Sequence, residues 1–179
     1  MGQGYNAVIL DESGKIVRTW VNPHKYRNGY KLMEHSYIGN NFMAVVESLL
    51  SPEGMFYKCR LVWSGDYADA ELDRDDEKNL YAIVMDDCGG KEFVGDERVD
   101  MSAYRYIVNH TKKLYVDKNL EFEDNIHPLS LLTAEGNGRG GGDYRGTSED
   151  LVGAWARDVI SVEKDQPEGF KELECPFSE

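Results

Sequence analysis

The sequence predicts an α+β fold, in which a mainly antiparallel sheet carries one main amphipathic helix. Two observations lead to this class. Short segments rich in β-branched and aromatic residues follow one another mostly through turns, whereas a doubly wound parallel sheet needs helical crossovers between its strands. One segment, residues 41–50, has the apolar period of a helix that packs on a sheet.

Two hairpins are predicted. Residues 5–10 and 16–21 are β-rich, and the turn between them contains Gly14, which adopts at low cost the positive φ that such turns need. Residues 104–109 and 114–117 form the second pair of β-rich runs, again joined by a short polar connection. Both pairs therefore contribute antiparallel neighbours to the sheet.

The predicted helix over residues 41–50 presents one apolar stripe. Its members recur at i, i+3, i+4, i+7 and i+8 and are Phe42, Val45, Val46, Leu49 and Leu50. Asn40 or Asn41 can cap the first turn. After the helix ends, residues 56–63 alternate between apolar and polar side chains, which is typical of a half-buried strand.

The remaining elements are shorter. Further strands are predicted at residues 129–133 and 159–162. Residues 80–85 form an apolar run that is too short to separate helix from strand, and strand is the preferred interpretation. Residues 147–150 resemble a helix start, which predicts a short helix over 151–156. The chain from residue 164 onward is predicted as loop.

Length and charge predict one domain over residues 1–179, with an acidic excursion at about 66–100 and an acidic tail at about 163–179. Residues 66–100 contain 13 acidic side chains and four basic ones, and residues 163–179 contain six and two. These two segments account for the whole formal net charge of -13. Such a distribution favours association with basic surfaces.

Three cysteines without a CxxC pair predict reduced thiols, and the N-terminal residues lack the pattern of a secretory leader. No run approaches the roughly 18 apolar residues that a membrane span requires. We therefore expect a soluble protein in the cytoplasm of a bacterial host, without membrane association.

The acidic run is the first candidate site, and three interpretations stay open. It is a solvated loop kept extended by charge repulsion, a divalent cation site that lacks the EF-hand spacing, or a partner surface that competes for basic side chains. Aromatic side chains nearby, Trp63 and Tyr67, are candidate anchors. The predicted acidic contacts are Asp66, Asp69, Asp73, Asp75, Asp76, Glu77, Asp86 and Asp87.

The Gly-rich loop at residues 136–146 is the second candidate. Its glycines fit G-x-G-x-x-G only formally, because no helix starts directly after them as nucleotide binding requires. It is either a mobile surface loop or a partner contact through Arg139, Asp143, Tyr144 and Arg145. The alternative function is a small cytoplasmic enzyme or nucleotide-binding protein that uses this loop.

The scattered histidines and cysteines predict neither a metal site nor a cofactor. No histidines stand in HExxH or i, i+4 spacing, and His24 with His35 is the nearest approach to a ligand pair. A nucleophile at Cys59 or Cys88, with His110 as base, stays open because such partners need only meet in space. For Cys59, which alternates with apolar residues, the preferred interpretation is an inert thiol.

Four runs, GYNAVIL, YKLMEHSYIGNNFMAVVESLL, LVWSGDYAD and HPLSLLTAEGNGRGGGDYRG, together resemble small proteins carried by phages and mobile elements. Some of these resemble type II anti-CRISPR proteins, which inhibit Cas9. The resemblance implies stoichiometric inhibition of the guide-RNA-loaded nuclease by direct contact, without catalysis, cofactor or binding of free nucleic acid. It implies no particular binding residues in this chain.

Overall fold

The computed structural model describes residues 3–86, 90–96, 98–119, 123–136, 142–174 and 177–178. Within these ranges nine strands form one mixed sheet in the order β4-β2-β1-β3-β8-β5-β6-β9, with β7 also paired to β3. The strands are β1 Tyr5–Leu10, β2 Val17–Val21, β3 Cys59–Gly65, β4 Lys91–Glu92, β5 Tyr106–Asn109, β6 Leu114–Asp117, β7 Ala134–Glu135, β8 Val159–Glu163 and β9 Lys171–Glu172. Only the short strands β4, β7 and β9 pair in parallel.

Three α-helices accompany the sheet in the described part of the chain: α1 Asn41–Leu50, α2 Leu80–Met85 and α3 Pro128–Leu132. The longest, α1, is the predicted amphipathic helix. Its cap is Asn40, whose side-chain oxygen accepts hydrogen bonds from the amides of Phe42 (2.9 Å) and Met43 (3.3 Å). The predicted α+β class, with a mainly antiparallel sheet and one main helix, is confirmed.

Both predicted hairpins are confirmed, as is the strand near residue 160. In the first hairpin β2 begins one residue later than predicted, and the register shifts between Ile9 and Leu10. In the second hairpin Lys113 takes the left-handed conformation at φ 55°, a role usually given to glycine. Local turn chemistry was therefore a sufficient guide to these antiparallel pairs.

The central strands are buried on both faces rather than on one. Along β3, Leu61 and Trp63 point into the main core beneath α1, while Val62 points into a smaller cluster that includes Leu80 and Ile83 of α2. The prediction of a half-buried strand at residues 56–63 is thus wrong in two respects. The strand begins at Cys59 rather than at residue 56, and both of its faces are buried from Leu61 onward because α2 covers the face that was expected to be exposed.

The prediction of a strand over residues 80–85 is wrong, because this segment is α2. The side chain of Asn79 accepts a hydrogen bond from the amide of Ala82 (2.9 Å) and so caps the first turn. Leu80, Ile83 and Val84 then fall at i, i+3 and i+4 and are buried together. A six-residue apolar run contains too little periodicity to separate the two states.

The prediction of a strand over residues 129–133 is also wrong. Pro128 occupies the first turn of α3, where its fixed φ suits a helix and its missing amide costs nothing. His127 caps the helix, since its Nδ1 accepts a hydrogen bond from the amide of Leu129 at 3.2 Å. His127 and Pro128 therefore start a helix at the point where the strand was predicted to begin.

The helix predicted over residues 151–156 is reduced to a 3-10 turn at Glu149–Leu151. Gly153 adopts φ +76°, a left-handed conformation that interrupts any continuation of the helix.

The two acidic segments also contribute regular structure, since residues 66–100 contain α2 and β4 and the C-terminal segment contains β9. No helix in the described ranges is long and apolar enough to cross a membrane.

Candidate functional site

The first part of the acidic run, residues 66–79, forms a turn-rich surface layer whose two ends are hydrogen-bonded to each other. Asn79 Nδ2 donates to the carbonyl oxygens of Asp66 and Ala68, both at 3.0 Å. The amide of Gly4 donates to Asp66 Oδ1 at 3.0 Å, which ties the layer to the start of β1. Residues 72–77 are exposed and turn-rich, so the solvated-loop and partner-surface interpretations both stay open for this part of the run.

Three of the predicted carboxylates form ion pairs. The Lys15 ammonium lies 2.7 Å from Asp73 Oδ2, and the Lys78 ammonium lies 2.7 Å from Asp86 Oδ2. Arg74 donates to both oxygens of Asp76, and this hydrogen bonding lowers the pKa of the Asp76 carboxyl to about 2. These carboxylates are already partly neutralised before any partner arrives.

Three other predicted carboxylates, Asp69, Asp75 and Glu77, are exposed and form no ion pair within the described part of the chain. Tyr67, half exposed, stands beside them in the sequence. Asp87 lies outside the described residues. The negative charge offered to a partner is therefore carried by fewer groups than the sequence count suggests.

A groove of about 790 Å³ lies between this layer and the β1–β2 turn, and we call it the acidic groove. Residues 13–17 form one wall and residues 68–74 form the other. Val17, Leu80 and Ile83 contribute apolar lining between the two walls. Because Lys15 bonds to Asp73, one ion pair connects the two walls.

Arg157 lies at the end of the groove beside β7. Its Nε donates to Glu135 Oε1 at 2.7 Å, and its Nη1 donates to Glu71 Oε2 at 3.0 Å. Burial by itself lowers the pKa of Arg157, but these two carboxylates outweigh it and raise that pKa above its ordinary value. Arg157 also adopts φ +67°, so a strained backbone aims the guanidinium at both carboxylates.

Trp63 is not an accessible anchor, and its predicted role as a partner contact is wrong. The side chain is fully buried against Phe42, with ring centroids 5.3 Å apart. Its indole Nε1 donates to His35 Nε2 at 2.9 Å. An aromatic residue of β3 was expected to point outward, but the face it occupies is covered by α1.

Of the predicted contacts in the Gly-rich loop, Tyr144 is buried, so its predicted role is also wrong. Its hydroxyl donates to the carbonyl of Thr147, and its ring packs edge-on against Phe177. Asp143 accepts a hydrogen bond from the amide of Met33 at 3.0 Å, whereas Arg145 is exposed. Arg139 and the rest of residues 137–141 lie outside the described residues.

The geometry around this loop differs from that of a dinucleotide site. The two-residue strand β7 precedes it, and no α-helix is found in the described range 142–174. A pyrophosphate needs the N-terminus of a helix directly after the glycines. His35 is also excluded as a catalytic base acting together with Asp143. It is fully buried, and both its ring nitrogens contact other residues.

The other nucleophile and metal candidates are separated. His24 stacks on Tyr30 at 5.6 Å, while His35 lies in the core. Burial raises the pKa of the Cys59 thiol, which disfavours the reactive thiolate, and Cys88 lies outside the described residues. Among the residues the structure describes, no three His, Cys, Asp or Glu side chains are grouped to hold a metal ion.

Sequence reasoning missed the residues that form the walls and end of the groove. Lys15 and Ile16 were assigned only to a turn and a strand, and Arg157 was assigned to no predicted element. For Leu72 the sequence did contain one signal that could have identified it, because it is a lone aliphatic residue inside an acidic run. Its side chain is fully exposed on the wall of the groove.

Comparisons with known protein families, with curated proteins and with solved structures find no match to this chain.

Proposed function

We propose that this protein is an acidic interaction module that inhibits a basic nucleic-acid-handling protein, with the Cas9–guide RNA complex as the partner to test. It acts by occupying a basic surface in stoichiometric complex, in the bacterial cytoplasm, and needs no cofactor. The resemblance to phage and mobile-element proteins that include type II anti-CRISPR proteins suggests this nuclease in particular.

The observation that carries the proposal is the surface layer of residues 66–79, with unpaired carboxylates at Asp69, Asp75 and Glu77. A layer held by hydrogen bonds loses little conformational entropy on binding, so its charges are preorganised for a partner. Residues 66–77 contain seven carboxylates, whereas in the described part of the chain three cations pair with them, Lys15, Arg74 and Arg157. The surface therefore remains negative and complements the basic channel that holds the nucleic acid in a nuclease of this type.

The test is cleavage of target DNA by guide-loaded Cas9, with and without the protein at one to ten molar equivalents. A triple variant, Asp69→Asn with Asp75→Asn and Glu77→Gln, should inhibit less. At about 0.5 kcal/mol for each exposed charge, the affinity should fall about tenfold. Raising the salt concentration should weaken wild-type binding more than it weakens binding of this variant.

A matched control removes three exposed carboxylates elsewhere: Glu149→Gln with Asp165→Asn and Glu168→Gln. This control should inhibit like the wild type. Cleavage that is unchanged by excess wild-type protein, with no complex detected at low salt, would refute the proposed function. Equal weakening by both triple variants would instead show that net charge acts without regard to position.

A further inference from the structure

We propose that the acidic groove is the docking site for an extended basic segment of the partner protein, in which an aliphatic side chain flanked by Lys or Arg enters the groove. This inference rests on the proposed function and makes it specific, because it names the kind of segment that is recognised and the residues that receive it.

The apolar part of the argument concerns the walls. Ile16, on the turn wall, is 62% exposed, and Leu72, on the opposite wall, is 100% exposed. Between them Val17, Leu80 and Ile83 continue the apolar surface inward to the small core cluster beneath α2. An aliphatic side chain placed between the two walls would bury both exposed residues at once, which is the pattern of an interface anchor.

The charged part of the argument concerns the rim. Four carboxylates line the groove, Asp69, Glu71, Asp73 and Glu135, against three cations. Each of those cations is already bonded to a carboxylate, and three of the four carboxylates are bonded to a cation, so the lining carries a net charge of -1 that favours a cationic over an anionic occupant. Its unpaired carboxylate is Asp69, and the exposed pair of Asp73 with Lys15 is of a kind that contributes little stability and exchanges partners readily.

The same features distinguish a protein segment from a small cofactor. A cofactor site places a few unpaired polar groups deep in an apolar cavity. In the acidic groove the polar groups lie mainly along the walls and bond to one another, while the deep residues Leu80 and Ile83 are apolar. An extended chain in which an aliphatic side chain is flanked by Lys or Arg matches both the apolar residues deep in the groove and the carboxylates along its walls.

The experiment titrates ¹⁵N-labelled protein with two synthetic peptides, Gly-Lys-Arg-Leu-Arg-Lys-Gly and the same peptide with Ser in place of Leu. The leucine peptide should shift the amides of residues 13–17 and 68–74 and should bind at least tenfold more tightly than the serine peptide. Leu72→Ser should weaken the leucine peptide about tenfold and leave the serine peptide unchanged. Met55→Ser, at a residue that is 74% exposed and outside the groove, is the control and should change neither.

Equal affinity for the two peptides, shifts that lie outside the groove, or no binding would each overturn the docking site. The peptide titration tests the groove independently of the proposed function, because no nuclease is present in it. Binding of the leucine peptide in the groove without inhibition of Cas9 would refute the nuclease assignment alone. Inhibition of Cas9 that is insensitive to Leu72→Ser, with no peptide binding, would refute the groove alone.

Discussion

Lowering the pH from 7 to 5 should destabilise this protein through one buried histidine, His35. The ring is fully buried, and its Nε2 accepts a hydrogen bond from Trp63 Nε1 at 2.9 Å. Because an indole nitrogen only donates, Nε2 is unprotonated and the proton is on Nδ1, which lies 3.1 Å from the carbonyl oxygen of Gly29. Burial lowers the pKa of His35 from 6.5 to about 4.

The sign and size of the effect follow from linkage. Between pH 6.5 and about 4 the unfolded chain binds a proton at His35 that the folded protein does not bind, so stability falls as the pH falls. The contribution is complete above pH 6.5 and is lost by about pH 4. Between pH 7 and pH 5 these two pKa values give a loss of about 2 kcal/mol in the free energy of unfolding.

The assay is urea unfolding at pH 7, 6 and 5 for the wild type, His35→Gln and His110→Gln. His110 is the matched control, because burial also lowers its pKa but it is only half-buried. The wild type and His110→Gln should lose about 2 kcal/mol between pH 7 and 5, whereas His35→Gln should lose much less. An equal pH dependence in all three proteins would refute the reasoning. If His35→Gln does not fold, the same reasoning is tested by the ring ¹⁵N shifts of the wild type at pH 6, which should show one neutral tautomer at His35. A charged ring at that pH would refute the lowered pKa of His35.

Two further predictions concern stability. Glu47 is buried with the ammonium of Lys118, so Glu47→Gln leaves an uncompensated buried charge and should cost about 3–5 kcal/mol in urea unfolding. The exposed control Glu149→Gln should stay within about 0.5 kcal/mol, and a loss below about 1 kcal/mol at Glu47 would contradict the assignment. Asn79→Ala removes the cap of α2 together with the two hydrogen bonds to the carbonyls of Asp66 and Ala68, and should cost about 2 kcal/mol, with faster hydrogen exchange at the amide of Ala82; unchanged exchange there would argue against the cap.

Local signals in the sequence were enough for the two hairpins and for α1. A short polar turn between β-rich runs, or an apolar stripe behind a capping Asn40, specifies its element within about ten residues of chain. The same local signals failed at residues 80–85 and 129–133. Both runs are short and mainly apolar, and their helical state depends on caps from Asn79 and His127 that composition does not distinguish from loop residues.

The sequence by itself determined the fold class, the main helix and the concentration of negative charge in two segments. Only the tertiary structure decided which of those charges remain free and which aromatic residues are accessible. The physical reason is that the deciding partners are distant in the chain: Lys15 neutralises Asp73, Arg157 holds Glu71, and α1 covers Trp63. Pairings of this kind arise only when the sheet brings separate segments together, so no local pattern encodes them.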